Sequence, residues 1–469
     1  MTATAHPEKF LKIAGRPSRF FGTVRLPPSK SYLHRALFIS SLTTTQSTIT
    51  NCGSQTNDDI RATIRALRLL GARIRAVHSK NESLKVLMRV PEKREITLDA
   101  GGSGTSARFL IPFCALSPEG TFVKIIGNES LSKRPMNSIF QPLSQLGVRV
   151  KALRDDDKLP ILIKGGGITG GECEVDGSIS SQFVSSLLIS CVRAQQDSTI
   201  SIRDPEIQVS TPYIEATISV MKYFGFKIQF QRSNSHKYAS FKIPGGQSVK
   251  GRKFSVPGDM SSAAALIGAT IAAGGKLRLT NAGRNQFPQP DSTIISVAKR
   301  LGENIMRQDG SIIVNQRERR IPGPILLDLK DSPDLVPTVA GLAAATASQV
   351  SINNIGHLRF KESDRISVLS RELSEIGVKT EETQSSLSVF GSVSFPPTGD
   401  ILISPEGDHR MLMAMTIAAL SGRFGTIYIK DPDCVKKSYP SFVADLQNLC
   451  HGYSTLKIVR SIKSRRSEG

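Results

Sequence analysis

The sequence predicts an α/β fold in two domains, and three observations predict it. The chain has 469 residues, too many for a single compact core and a natural length for two. Six times, a strand-like run meets a small polar turn and then an apolar helix-like run. Between these copies lie second helices, such as DDIRATIRALRLLGARI, and pairs of strand-like runs around Gly and Asp turns.

In chain order the copies are TVRLPPSKSYLHRALFISSL from Thr23, ITLDAGGSGTSARFLIPFCAL from Ile96 and CEVDGSISSQFVSSLLISCV from Cys173. FSVPGDMSSAAALIGATIA from Phe254, LLDLKDSPDLVPTVAGLAAA from Leu326 and ILISPEGDHRMLMAMTIAAL from Ile401 complete the set. Their turns, near Ser29, Ser103, Ser178, Gly258, Ser332 and Gly407, recur about every 75 residues, the mark of a repeated architecture. In each copy Gly or Pro breaks the strand, and a Ser or Asp stands where a helix N-cap belongs. The helix that follows is apolar on nearly every side, so it is expected to be buried. A buried helix presents its N–H groups and the positive end of its dipole at one point, which suits an anion. For any single copy the polar residues could be caps alone. Six copies that also carry Lys, Arg and Gln point to a site.

Composition narrows the partners. The 61 basic and 40 acidic residues give a net charge of +21. Solubility, nucleic-acid binding and small polyanionic substrates would each suit that excess. The basic residues are spread along the chain, many singly inside the turn motifs, without the interleaved aromatic residues of a base-stacking platform. Small anions rank first, and nucleic acid is not an expected partner. The six Cys form no CxxC pair and have no His cluster beside them, which argues against zinc and against a disulfide scaffold. No apolar run reaches the roughly 18 residues of a membrane span, and the N-terminus lacks a signal-peptide core. The expected location is the cytoplasm.

The chemistry-bearing residues fall in nine short motifs. PSKSYLHR places Lys30 and Ser31 at a helix start, with Arg35 one turn on. A Lys there opposes the helix dipole, and makes sense if it and the helix end grip one phosphate. GGSGTSARF carries Gly102, Gly104, Thr105 and Arg108, small residues that admit an anion close to backbone N–H groups. GNESLSKRPM adds Lys133 and Arg134, DGSISSQF adds Ser180, Ser181 and Gln182, and VSTPYIE adds Tyr213. DSPDLVP holds Asp331 and Asp334, where an acidic residue at a helix start could be a simple cap. FKESDRI holds Lys361, Glu362 and Arg365, a cluster that alone reads as a solvated face. GDHRMLMA holds Asp408, His409 and Arg410, and CVKKSYP holds Lys436 and Lys437.

Over roughly residues 15 to 450 these motifs, in this order, resemble the EPSP synthase (3-phosphoshikimate 1-carboxyvinyltransferase) family. The resemblance implies two similar lobes, each of three βαβαββ-type repeats with buried parallel helices in an inside-out α/β barrel, and an active site in the cleft between lobes. It implies one lobe over residues 29–256, mainly binding shikimate 3-phosphate, and a second over 1–28 plus 257–450 with phosphoenolpyruvate-binding and acid/base residues. Residues 451–469 are left as a basic tail. It further implies transfer of the enolpyruvyl group of phosphoenolpyruvate to the 5-hydroxyl of shikimate 3-phosphate by addition and elimination, without metal or organic cofactor, in a monomer.

Residue by residue, the resemblance assigns Lys30, Ser31, Arg35, Ser180, Ser181, Gln182, Tyr213, Asp334 and Lys361 to shikimate 3-phosphate. It assigns Lys30, Gly104, Thr105, Arg108, Arg134, Gln182, Arg365, Arg410 and Lys437 to phosphoenolpyruvate. Asp334, Glu362 and Lys30 carry the proton transfers, with the C3 proton coming from either Lys30 or Glu362. The family usually has Asn where this chain has Gly102, and a small residue at the Gly104 position leaves room for glyphosate. The related UDP-N-acetylglucosamine enolpyruvyl transferases have a reactive Cys in the loop before the Arg-Pro pair. Counting back from Arg134-Pro135, this chain has Glu129 there.

Overall fold

The structure, a computed structural model, describes residues 8–53, 57–77, 82–89, 94–233, 238–283, 287–315, 323–393, 399–451 and 456–460. Its described strands form six four-stranded sheets, all built to one plan. In one of them Glu95–Asp99 runs parallel to Phe122–Ile126, with Glu95 opposite Phe122. Ile161–Lys164 then pairs antiparallel to Phe122–Ile126, and Val150–Ala152 closes the edge. A parallel pair needs a long crossover, which the core helix Gly104–Cys114 supplies, whereas the antiparallel pair needs only a turn. The order strand–helix–strand–helix–strand–strand is the expected βαβαββ unit.

Two kinds of helix serve each unit. Second helices such as Asp58–Leu69 are amphipathic, burying Ile60, Ala62, Thr63, Ala66 and Leu67 and exposing arginines. Core helices are enclosed: Met260–Ala273 buries every residue but Ser261, and His409–Leu420 buries all twelve. Three of the six have the side-chain cap the sequence suggests, whereas Ser29, before Lys30–Ser40, makes none. Ser103 accepts from the Ser106 N–H, Ser180 from the Gln182 N–H and Asp408 from the Arg410 N–H. Asp334 is different: the Val336–Thr346 helix begins without a side-chain cap, and the Asp334 carboxylate is turned to arginines instead.

The chain divides into two compact units. The inserted unit comprises Pro27–Asp259 and Gly283–Pro290, and the flanking unit comprises Met1–Leu26, Met260–Ala282 and Asp291–Gly469. Each contains three of the sheets and one hydrophobic core. Two of the six sequence copies are split by this division. Strand Phe21–Arg25 pairs in parallel with Lys276–Thr280 of the flanking unit, while the helix that follows it, Lys30–Ser40, belongs to the inserted unit. Conversely, Lys253–Ser255 pairs with Ser47–Thr50 of the inserted unit, while Met260–Ala273 belongs to the flanking unit. The local pattern reads as six contiguous copies because each strand still precedes a helix. Which partner strand it joins is a long-range matter.

The tail expected over 451–469 also differs. Lys457–Val459 adds to the edge of Phe10–Ala14, which itself pairs antiparallel with Thr426–Lys430, so the two ends of the chain make the hairpin of the last sheet. Residues 452–455 and 461–469 of that expected tail lie outside the described residues.

The flanking core depends on close helix approach. A Cβ on Gly341 would overlap the backbone carbonyl of Ala414 on the facing helix, and one on Gly268 would come 2.9 Å from Ile417 Cδ1. Backbone cannot rotate away as a side chain can. Gly341→Ala is therefore expected to cost about 1–3 kcal/mol of overpacking and to lower the melting temperature in a thermal scan. An unchanged or higher value would show that the helices are not held at this spacing.

Candidate functional site

In the inserted unit the starts of three core helices carry the expected polar residues. Lys30 is the first residue of Lys30–Ser40, and its Nζ donates to Asp59 Oδ2 at 2.8 Å. Asp59 was not foreseen. It lies in the first turn of the Asp58–Leu69 helix, 29 residues away in sequence, and nothing local marks it. Below Lys30, a buried chain runs from His34 Nδ1 to Thr63 Oγ1 at 2.9 Å, on to Ser106 at 2.7 Å and to Ser103 at 2.8 Å. It ties three helices together. Burial, reinforced by Lys30 and Arg35, lowers the His34 pKa well below its usual range, so the imidazole is neutral.

Arg35 is nearly enclosed and bonds inward. It donates to Thr217 Oγ1, the Ser31 carbonyl and the Tyr213 carbonyl, each at 2.8 Å. Burial lowers its pKa to about 10, still a cation at neutral pH. Its guanidinium lies 5.8 Å from the Tyr213 ring, so Arg35 joins Ser31 and Tyr213 in one cluster.

A second cluster gathers at Gly104. Arg108 donates to Gln182 Oε1 at 3.0 Å, to Ser180 Oγ at 3.5 Å and to the Pro135 carbonyl at 3.2 Å. Gln182 Nε2 donates to Thr105 Oγ1 at 2.9 Å. A Cβ on Gly104 would stand 3.0 Å from Arg134 Nη1, 3.8 Å from Arg108 Nη1 and 3.9 Å from Gln182 Oε1. Glycine thus leaves space beside two guanidinium groups and a helix N-terminus. Between the neighbours Lys133 and Arg134, the structure places Arg134 in this cluster, whereas Lys133 points outward to Glu129 at 2.7 Å. Ser181 is buried in the first turn beside Gln182.

In the flanking unit the organising group is Arg365, 1% exposed. Its Nε donates to Asp408 Oδ2 at 2.9 Å, its Nη1 to Asp334 Oδ1 at 2.9 Å and its Nη2 to Glu362 Oε2 at 2.8 Å. Sequence reading made Arg365 a direct ligand; the structure shows its donors held by three carboxylates. Arg410 Nη2 donates to the second oxygen of Asp334 at 3.1 Å. Burial alone would raise the Asp334 pKa, but Arg410, Arg365 and Lys361 outweigh it and hold the carboxyl below its usual range. Asp408 is fully buried and does two jobs: it accepts from Arg365 and caps the His409–Leu420 helix through the Arg410 N–H. Lys437 Nζ donates to the Gly407 carbonyl at 2.8 Å, in the turn before that helix, while Lys436 pairs outward with Asp433. Lys437, not its neighbour, is placed with the cluster.

No group of His, Cys, Asp and Glu able to hold a metal occurs among the described residues, and no described helix is long and apolar enough to cross a membrane. All six Cys are buried, and burial raises their thiol pKa values, for example to about 12 for Cys52. None resembles an activated nucleophile.

His357 is buried beside this cluster. Burial, then Lys361 and Lys330, lower its pKa to about 3. A His with a depressed folded-state pKa favours folding while neutral. That contribution is complete above the unfolded pKa and is lost as pH falls from about 6.5 towards 3. Chemical denaturation between pH 7 and pH 4 should therefore show stability falling by up to about 1.4 kcal/mol per pH unit for each such His. His357→Gln should make the slope shallower; an unaltered slope would show that His357 does not titrate in this way.

Residues 15–446 match the model of the EPSP synthase (3-phosphoshikimate 1-carboxyvinyltransferase) family. A 3-phosphoshikimate 1-carboxyvinyltransferase of Korarchaeum cryptofilum is 35% identical, with 92% of this chain and 97% of that protein covered. Its counterpart in Methanosarcina mazei is 36% identical, with 91% and 95% covered. Among solved structures, EPSP synthase from Acinetobacter baumannii superposes with a TM-score of 0.72 at 24% identity, covering 96% of this chain and 99% of that one. The enolpyruvyl transferase NikO from Streptomyces tendae gives 0.74 at 17% identity, covering 97% and 99%. At these identities the structures speak for the fold.

Proposed function

This chain belongs to the EPSP synthase family, and from that premise we propose that it transfers the enolpyruvyl group of phosphoenolpyruvate to the 5-hydroxyl of shikimate 3-phosphate, releasing phosphate. The observation that carries the proposal is the flanking-unit cluster: Asp334 and Glu362, kept close to one another by the buried Arg365, with Arg410 bonded to Asp334. Enolpyruvyl transfer needs that combination. Protonation at C3 of phosphoenolpyruvate makes C2 electrophilic, the hydroxyl adds there, and loss of a C3 proton then expels phosphate. Two proton-handling groups and several cations for two anionic substrates are required.

In this reading Asp334 accepts the proton of the 5-hydroxyl, and Glu362 or Lys30 serves C3. Ser31, Arg35, Ser180, Ser181, Gln182, Tyr213 and Lys361 hold shikimate 3-phosphate, with Lys30 shared between substrates. Gly104, Thr105, Arg108, Arg134, Gln182, Arg410 and Lys437 receive phosphoenolpyruvate. Arg365 is also assigned to phosphoenolpyruvate, in addition to holding the carboxylates it binds. No cofactor is called for, and the working form is taken as a cytoplasmic monomer. Transfer to UDP-N-acetylglucosamine is disfavoured because Glu129, paired with Lys133, stands in the loop where that related family carries its reactive Cys.

The test is turnover: the purified protein with shikimate 3-phosphate and phosphoenolpyruvate should release phosphate and form 5-enolpyruvylshikimate 3-phosphate. Lys30→Ala should fold normally, since Lys30 is partly exposed, and lose about 10²–10³-fold or more in kcat. Near-normal kcat/KM in that variant would remove Lys30 from the mechanism.

Gly104 offers a second check. The wild type is expected to be inhibited by glyphosate competitively with phosphoenolpyruvate. Gly104→Ala would put a methyl 3.0 Å from Arg134 Nη1, so it should raise the phosphoenolpyruvate KM and weaken inhibition together. Inhibition that is equally strong in both proteins would mean that the space beside Gly104 is not where either molecule binds.

A further inference from the structure

The loop before the Gly104–Cys114 helix departs from the family pattern at Gly102, and the structure shows what stands in the space a side chain would fill. A Cβ on Gly102 would come 3.0 Å from Asn128 Nδ2 and 3.7 Å from its Cγ. The two loops are fastened by the Asn128 N–H, which donates to the Gly101 carbonyl at 2.8 Å. The Asn128 amide is also oriented. Its Oδ1 accepts from the Leu131 N–H at 3.0 Å, which leaves Nδ2 as the end turned to Gly102. Asn128 is exposed, and among the described residues no protein acceptor takes its Nδ2 hydrogens. Two residues along the same loop, Gly104 borders Arg134 and Arg108.

We propose that Asn128 is a positioning residue for phosphoenolpyruvate: its side-chain amide occupies the place of the side chain missing at Gly102 and donates a hydrogen bond to an anionic oxygen of the substrate. The proposal rests on the function proposed above. It adds a neutral donor to a pocket otherwise furnished with guanidinium groups, and a neutral donor fixes direction without adding charge. It also makes Gly102 and Asn128 a coupled pair. A side chain at 102 needs the space that Asn128 fills, so the glycine and the amide depend on each other.

Asn128→Asp separates this role from helix capping, because Asp keeps the acceptor for Leu131 and replaces the donor with a negative charge. Steady-state kinetics should show the phosphoenolpyruvate KM raised about tenfold or more, the shikimate 3-phosphate KM within about twofold of wild type, and a near-normal melting temperature. Asn128→Ala should raise the same KM. Gly102→Asn alone should impair phosphoenolpyruvate binding by crowding Asn128, whereas Gly102→Asn combined with Asn128→Ala should recover most of what Asn128→Ala loses, because the amide is restored from the other loop. An unchanged phosphoenolpyruvate KM in Asn128→Asp, or a double variant no better than Asn128→Ala, would overturn the proposal. A wild-type protein without turnover of the two substrates would instead sink the functional reading, and this inference with it.

Discussion

A helix enclosed by apolar side chains satisfies its surroundings everywhere except at its ends, where the first N–H groups have no partner within the helix. The core helices here are of that kind, and His409–Leu420 has no exposed residue at all. Their polar groups and dipoles are delivered at the N-termini, and there the chain places Ser103, Ser180, Asp408, Lys30, Arg108 and Arg410. The sheets follow from the same constraint. In four of the six sheets one core helix joins the two strands of the parallel pair, and in all six the antiparallel strands complete a four-stranded layer. The close contact at Gly341, where the Ala414 backbone leaves no room for a methyl, belongs to the same economy of space.

Charge is handled differently in the two units. In the inserted unit, Arg108 donates to neutral acceptors, Gln182, Ser180 and the Pro135 carbonyl, which fix its direction. In the flanking unit, Arg365 is surrounded by three carboxylates. Burying one cation among three anions is costly unless it is well hydrogen-bonded, and all three nitrogens of its guanidinium donate. The effect is to keep Asp334 and Glu362 close, and to keep Asp334 ionised although its burial alone would push it towards neutrality.

The recurring turns, the caps at Ser103, Ser180 and Asp408 and the buried character of the helices were legible because each is written within a few consecutive residues. The choices of Arg134 over Lys133, and of Lys437 over Lys436, agree with placement for a simple reason: the alternative side chain faces outward to a local acid in each case. What was not legible is long-range. The strands Phe21–Arg25 and Lys253–Ser255 each join a sheet in a different unit from the helix they precede. The Lys30–Asp59 pair spans two helices, and Lys457–Val459 finds its partner at the other end of the chain. That three acids converge on Arg365 is likewise a long-range matter. The sparing of Gly102 became intelligible only with Asn128 in view.

The internal partners of the cations have a consequence for chemistry. Lys30 is held by Asp59, Arg410 by Asp334 and Lys437 by the Gly407 carbonyl. An incoming anion that takes one of these donors replaces a bond already made, so what it gains is a difference, while the donor's orientation has been set in advance. The exchange also acts on the acids. Asp334 owes its lowered pKa first to Arg410 among its cationic neighbours. An anion that draws Arg410 away leaves the carboxylate with a weaker positive field, which raises its proton affinity. On the proposed assignment, with Asp334 as base and Arg410 as a phosphoenolpyruvate ligand, a carboxylate that is a poor base without substrate becomes a better one with it.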